Sequence, residues 1–205
     1  MAYSDFSLER VKKIFGLKEQ SKPLFREVVS VEASQWLQET LRYSLKLALS
    51  SSTEKARSEF LIAPILIELE RRNPDRIAIY SGERLDANEE KGLKGECDFI
   101  LSKGPVALTL QPPIISLVEA KKSDIKSGLG QCIAQCVGAQ QFNDREENAI
   151  STIYGCVTTG EDWQFLQLVG DRVSIDNRRY YINELEKILG IFQTMIDSYF
   201  KNLQN

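Results

Sequence analysis

Gly95-Glu96-Cys97-Asp98-Phe99-Ile100-Leu101 and Ile114-Ile115-Ser116-Leu117-Val118-Glu119-Ala120-Lys121 are the two stretches on which the fold turns. Both read as short apolar strands, and both place charge where a purely structural strand would avoid it. In an extended chain residues i and i+2 point to the same face, so Glu119 and Lys121 project together from the end of the second strand. If the two strands pair, Asp98 comes near them. Two carboxylates and one ammonium in a small volume at a sheet edge are costly to desolvate unless something such as a divalent cation sits among them. The pattern therefore defines a candidate metal site.

Between the two stretches, Gly104-Pro105 and Pro112-Pro113 bracket a further expected strand, Val106 to Leu110, which makes an antiparallel meander. Upstream, Ile77-Ala78-Ile79-Tyr80 reads as a strand and Gly82 to Lys94 as a polar loop whose Arg84, Lys91 and Lys94 would lie beside Asp98. Downstream, Ser127-Gly128-Leu129-Gly130 leads into a helix to about Phe142, with Leu129, Cys132, Ile133, Cys136 and Val137 on one stripe. Gln131 and Gln135 fall on the other side, where solvent-facing amides are the plain reading. Two strands follow, around Thr152 to Thr158 and Trp163 to Val169, and a short one around Arg172 to Ile175.

Helical periodicity marks the rest of the chain. Ser4 to Phe15 ends at Gly16, and Glu32 to Leu49 repeats Trp36, Leu37, Leu41, Leu45, Ala48 and Leu49 at helical spacing. A third helix opens at Ser51 to Glu54 and runs to about Arg72, interrupted by Pro64. The last helix spans Asn183 to Phe200, and its apolar stripe, Leu185 to Tyr199, reads as core or as the seam of a homodimer. No repeat or low-complexity linker divides the chain, so a single domain over 1–205 is expected.

Composition narrows the chemistry. At 42% hydrophobic and 27% charged residues the chain is an ordinary globular one. Met1 to Lys13 lacks a signal-peptide apolar region, and the longest apolar run, Leu61 to Ile67, is too short to span a bilayer. The expected compartment is the cytoplasm. Cys97, Cys132, Cys136 and Cys156 sit in apolar segments without a C-x-x-C pair and read as buried free thiols. The absence of histidine removes Ser-His-Asp and Cys-His hydrolases and His-ligated zinc enzymes in their usual forms. Carboxylate-bound Mg²⁺ suits what remains. The net charge of -3 argues against a generic basic coat for nucleic acid.

Asp98 followed by Glu119-x-Lys121 resembles the signature of the PD-(D/E)XK nuclease superfamily, with Cys97 in place of the family's Pro. The resemblance covers about residues 54–169 and implies a restriction-endonuclease-like α+β core. That core would be a central mixed sheet of four to five strands flanked by helices, with added N-terminal helices (4–49) and a C-terminal helix (183–200). It further implies an acid from the helix before the first strand. Glu54, Glu59 and Glu68 are the candidates. A Ser51-x-x-Glu54 capping box would account for Glu54, and an exposed pairing with Arg71 or Arg72 for Glu68. Glu59, expected to be partly buried among apolar neighbours, is favoured, and Glu54 is second because Glu54 to Arg57 resembles a Glu-x-x-Arg pattern of type I restriction subunits. Gln131-x-x-x-Gln135 is similar to the Gln-x-x-x-Tyr signature of one subgroup, without the aromatic.

The activity implied is Mg²⁺-dependent phosphodiester hydrolysis of nucleic acid, DNA before RNA, with Mn²⁺ a substitute. Asp98, Glu119 and the Ala120 carbonyl would hold the metal. Lys121 would orient or help deprotonate a water, or stabilise the transition state. Gln131 would orient Lys121 or a phosphate, with Gln135 the weaker candidate, and Lys122, Lys126 and Arg84 would contact the backbone. The competing expectations are a nuclease-fold binding or scaffold subunit without activity, and a plain surface ion pair of Glu119 with Lys121.

Overall fold

The stretch 114–120 is buried at every position, and a strand with no polar face must be covered on both sides. In the computed structural model, which describes residues 1–51, 53–148 and 150–202, it is the fourth of eight strands in one mixed sheet flanked by helices. The strands are β1 (Lys18–Lys22), β2 (Ile77–Arg84), β3 (Glu96–Lys103), β4 (Ile114–Ala120), β5 (Ile153–Thr158), β6 (Asp162–Val169), β7 (Arg172–Asp176) and β8 (Tyr180–Tyr181). The helices are α1 (Leu8–Phe15), α2 (Gln35–Ser50), α3 (Glu54–Arg57), α4 (Ala63–Arg72), α5 (Ile125–Arg145) and α6 (Leu185–Asn202). The order across the sheet is β1-β7-β6-β5-β4-β3-β2, with β8 on β6. β4 and β5 run parallel, so the chain between them must cross over, and α5 is that crossover.

One face of the sheet packs Phe99, Val118 and Phe165 against Leu37, Leu66, Leu69 and Phe192 of α2, α4 and α6. The other packs Ile100, Leu117 and Leu166 against Val11, Ile133 and Val137 of α1 and α5. The four cysteines are buried and free, as their apolar surroundings predict. Ile188, Leu189, Phe192, Met195, Ile196 and Tyr199 of α6 are buried in the chain's own core. The face that suggested a homodimer seam is thereby occupied. Among the described residues no helix is long and apolar enough to cross a membrane.

The sheet has more strands than the four to five expected. β1 reads Lys-Glu-Gln-Ser-Lys, exposed at every position, and joins β7 through backbone pairing, with the Gln20 amide also donating to Ser174 Oγ at 2.7 Å. It buries no side chain, so no alternation marks it. Conversely, Val106 to Leu110 is not a strand. Ser102 of β3 pairs with Ile114 of β4, so the segment between them leaves the sheet, and Pro105, Pro112 and Pro113 bring no N–H to a ladder. Tyr80 Oη donates to the Thr109 carbonyl at 3.0 Å, while Val106 and Leu108 stay exposed.

The third expected helix is three joined pieces: α3, one π-helical turn at Ser58–Ile62, and α4. Pro64 has no N–H to return to the carbonyl of Phe60, four residues back. Ser44 on α2 supplies the missing donor, its Oγ lying 2.6 Å from that carbonyl oxygen. Ser44→Ala leaves this half-buried carbonyl without its donor and should cost about 1 kcal/mol, seen as a lower denaturant midpoint with an unchanged slope.

Helix α5 lies close under α1. A Cβ at Gly130 would stand 2.3 Å from the Phe6 carbonyl oxygen, and backbone cannot yield as a side-chain tip can. Gly130→Ala should therefore cost about 1–3 kcal/mol or lift the N-terminal segment away, which amide exchange over residues 3–15 would report.

Candidate metal and catalytic centre

β3 and β4 pair antiparallel, with Phe99 opposite Val118 as the last ladder pair toward the site. Asp98 and Glu119 are the next residue outward on each strand. There the Ala120 N–H donates to Asp98 Oδ2 at 2.7 Å, so the carboxylate is tied to the neighbouring strand. The Lys121 N–H extends the other side of β4, donating to the Thr158 carbonyl at 2.8 Å. Lys121 Nζ then reaches back to Glu119 Oε1 at 2.5 Å. The three side chains expected to converge do so at the C-terminal end of β4.

Two amides from α5 complete the cluster. Gln135 Nε2 donates to Glu119 Oε2 at 2.8 Å, and Lys121 Nζ donates to Gln131 Oε1 at 3.4 Å. Gln135 is fully buried, against the solvent-facing reading, because α5 is covered both by the sheet and by α1. Its Oε1 has no hydrogen-bond partner among the described residues. Gly128 also matters and escaped the sequence reading: a Cβ there would lie 3.0 Å from Lys121 Cγ and 2.7 Å from Val157 Cγ1. A glycine in the first turn of the helix after Glu-x-Lys was the available signal.

The local charge balance is unusual for a lysine-paired carboxylate. Burial, and then the neighbouring Asp98, push the Glu119 pKa up to about 7, outweighing the pull of Lys121 and Gln135. Asp98 is also raised, chiefly by burial, against the Ala120 N–H and Lys121, with Glu54 and Glu96 adding to the rise. Burial alone would lower Lys121, yet Glu119, Glu54 and Asp98 hold it above its ordinary value. One ammonium faces more carboxylate than it balances.

Asp98 and Ala120 line a cleft of about 350 Å³ whose other walls include Glu54, Ser58, Glu59, Ser81 and Glu96. Glu54 is not spent in a capping box: Thr53 caps α3, its Oγ1 accepting from the Ala56 N–H at 3.2 Å. Glu54 Oε2 instead accepts from the Lys122 N–H at 3.1 Å, beside the end of β4. Glu59 shares the cleft but is not partly buried as expected. Its side chain is 55% exposed and 3.7 Å from Lys55, because the π turn sends Leu61 and Ile62 inward instead. Glu68 does pair with Arg72, at 2.6 Å, but is buried rather than on an exposed turn. It accepts from the Ser34 Oγ at 2.7 Å and belongs to the start of α2. Lys122 and Lys126 are exposed beyond β4, whereas Arg84 is held by Asp86 at 3.0 Å.

Asp98, Glu119 and the Ala120 carbonyl are hard oxygen donors of the kind Mg²⁺ accepts alongside several waters. Among the described residues no three Asp, Glu or Cys side chains are grouped closely enough to enclose an ion by themselves. Lys121 occupies one oxygen of Glu119. Compared with known proteins, the chain matches no family model and no curated sequence.

Proposed function

We propose that the chain hydrolyses phosphodiester bonds in nucleic acid, DNA first, at a Mg²⁺ site formed by Asp98, Glu119 and the Ala120 carbonyl. The supporting fold reading is a restriction-endonuclease-like core over about residues 54–169, with β1, β7 and β8 as additions. The observation that carries the proposal is the pairing of Glu119 with the Lys121 ammonium beside Asp98, which is tied to the Ala120 N–H and lines an acid-walled cleft. Such a cluster is short of positive charge, and a divalent cation supplies it.

Mg²⁺, or Mn²⁺ in its place, would lower the pKa of a bound water and neutralise charge developing on the phosphate. The chain's own groups do the positioning. Asp98 is fixed by the Ala120 N–H, and Gln135 fixes one oxygen of Glu119. Lys121 keeps its proton in the metal-free site, which favours orienting the water or donating to the developing charge over acting as a base. Gln131 limits the swing of its ammonium. Glu54, tied to the Lys122 backbone, is better set than Glu59 to add a further carboxylate.

The test is cleavage of single-stranded and duplex DNA and RNA by the purified chain with Mg²⁺, Mn²⁺ or EDTA. Product that forms with metal and vanishes with EDTA supports the reading, and no product on any substrate overturns it. A second reading, a nuclease-fold binding or scaffold subunit, draws support from the net charge of -3 and the acidic cleft walls. Binding without cleavage would select it.

A further inference from the structure

The acidic cleft adjoins a second one of different chemistry. Ser81 lines both, and Asp98 and Phe99, consecutive on β3, line one each. The second is a groove of about 390 Å³ between α4 and β2, with Leu66, Ile79 and Phe99 among its walls. Ile67 and Val106 also line it and remain 46% and 63% exposed. Glu70 and Ser81 are its polar groups. Apolar side chains around an open groove, with a carboxylate and a hydroxyl beside them, suit a planar heterocycle that carries amino groups on its edge.

Charge points the same way. A protein that grips a duplex draws on many Lys and Arg contacts to phosphate. Here the net charge is -3, and near the site Lys55 is 3.7 Å from Glu59, Arg84 3.0 Å from Asp86 and Lys94 3.0 Å from Glu89. Lys122 and Lys126 are left exposed beyond β4, few beside the many cations a duplex grip uses, so uncharged contact must add to them. A base enters such a groove only when it is unstacked and unpaired.

Resting on the hydrolytic reading above, we propose that this groove receives one unpaired nucleobase beside the scissile phosphate, so that the substrate class is single-stranded nucleic acid or a frayed end. The side chains at the scissile phosphate act on the backbone, while the exposed Ile67 and Val106 hold the adjoining base.

Binding is measured by fluorescence anisotropy in the full-length Lys121→Ala chain with Mg²⁺, using a labelled single-stranded oligonucleotide, as DNA and as RNA, and the same sequence closed into a hairpin duplex. The single strand should bind at least about tenfold tighter than the hairpin. The uncharged double variant Ile67→Ser/Val106→Ser, altering two exposed positions, should lose about tenfold of that affinity and leave hairpin binding within about twofold, in the range for one base contact. Wild type should cut the single strand faster than the hairpin, and the double variant should lose that preference through KM.

A hairpin bound as tightly as the single strand, no binding of either, or a serine variant without effect overturns the groove assignment. So does a wild-type dimer that the serine changes dissociate, since a second copy would then cover the groove. Metal-dependent cleavage with no groove effect sinks only this inference. Groove-dependent binding with no cleavage sinks only the hydrolytic reading.

Discussion

Lys121→Ala is expected to lower Mg²⁺-dependent cleavage by about 10²–10³-fold while Mg²⁺ binding survives, and Asp98→Ala to abolish both. The two variants separate because the two side chains do different work. Asp98 offers oxygen toward the cleft, whereas Lys121 offers none and competes for Glu119 Oε1 at 2.5 Å. Under the proposed function, removing the ammonium frees an oxygen of Glu119 for a metal even as it removes the donor for the developing phosphate charge. Cleavage kinetics together with calorimetric titration of Mn²⁺ measure both quantities on the same preparations. Equal cleavage by wild type and both variants would eliminate the assignment of these residues.

Metal-free protein should lose stability as the pH rises through neutrality, and Glu119→Gln should abolish that loss. The Glu119 pKa stands at about 7 in the folded chain against an ordinary 4.5. Between those values the native state holds a proton that the unfolded chain has released. The contribution is complete below pH 4.5 and disappears as the pH climbs past 7. At about 1.4 kcal/mol per unit this amounts to on the order of 3 kcal/mol. Asp98, also raised, acts in the same direction at lower pH, and Lys121 titrates outside this window.

Excess Mg²⁺ should offset the loss at pH 8, since a ligand bound only by the native state stabilises it. Chemical denaturation from pH 4.5 to 8, with EDTA and with Mg²⁺, reads both effects. A metal-free profile that stays flat or rises with pH would contradict the environment described for Glu119. In Glu119→Gln the profile should flatten, the apo protein at pH 8 should gain stability, and the response to Mg²⁺ should fall. Ionised Glu119 is thus held at a thermodynamic disadvantage that the proposed metal would relieve.

Legibility followed the range over which each feature is decided. Strands β3 and β4 were readable because apolar runs closed by turn residues are local signals, and the helices because their core faces recur every third or fourth residue. The meeting of Asp98 with Glu119 and Lys121 followed from the local i, i+2 rule together with the direct pairing of β3 and β4, which the structure makes by leaving out the strand expected between them. That segment, Val106 to Leu110, misled because it alternates like a strand, but alternation does not supply a pairing partner.

By itself, then, the sequence determined the helical stripes, the buried thiols and the acid-acid-lysine cluster, because each depends on side-chain spacing along one or two adjoining elements. Only the tertiary structure decided that polar β1 joins the sheet, that Glu68 serves α2, that Glu54 is free of its cap, and that Gln135 is buried against Glu119. Those outcomes depend on which backbone and side-chain groups from distant segments are left facing one another once the layers close. That is a matter of long-range register and packing, which no local period encodes.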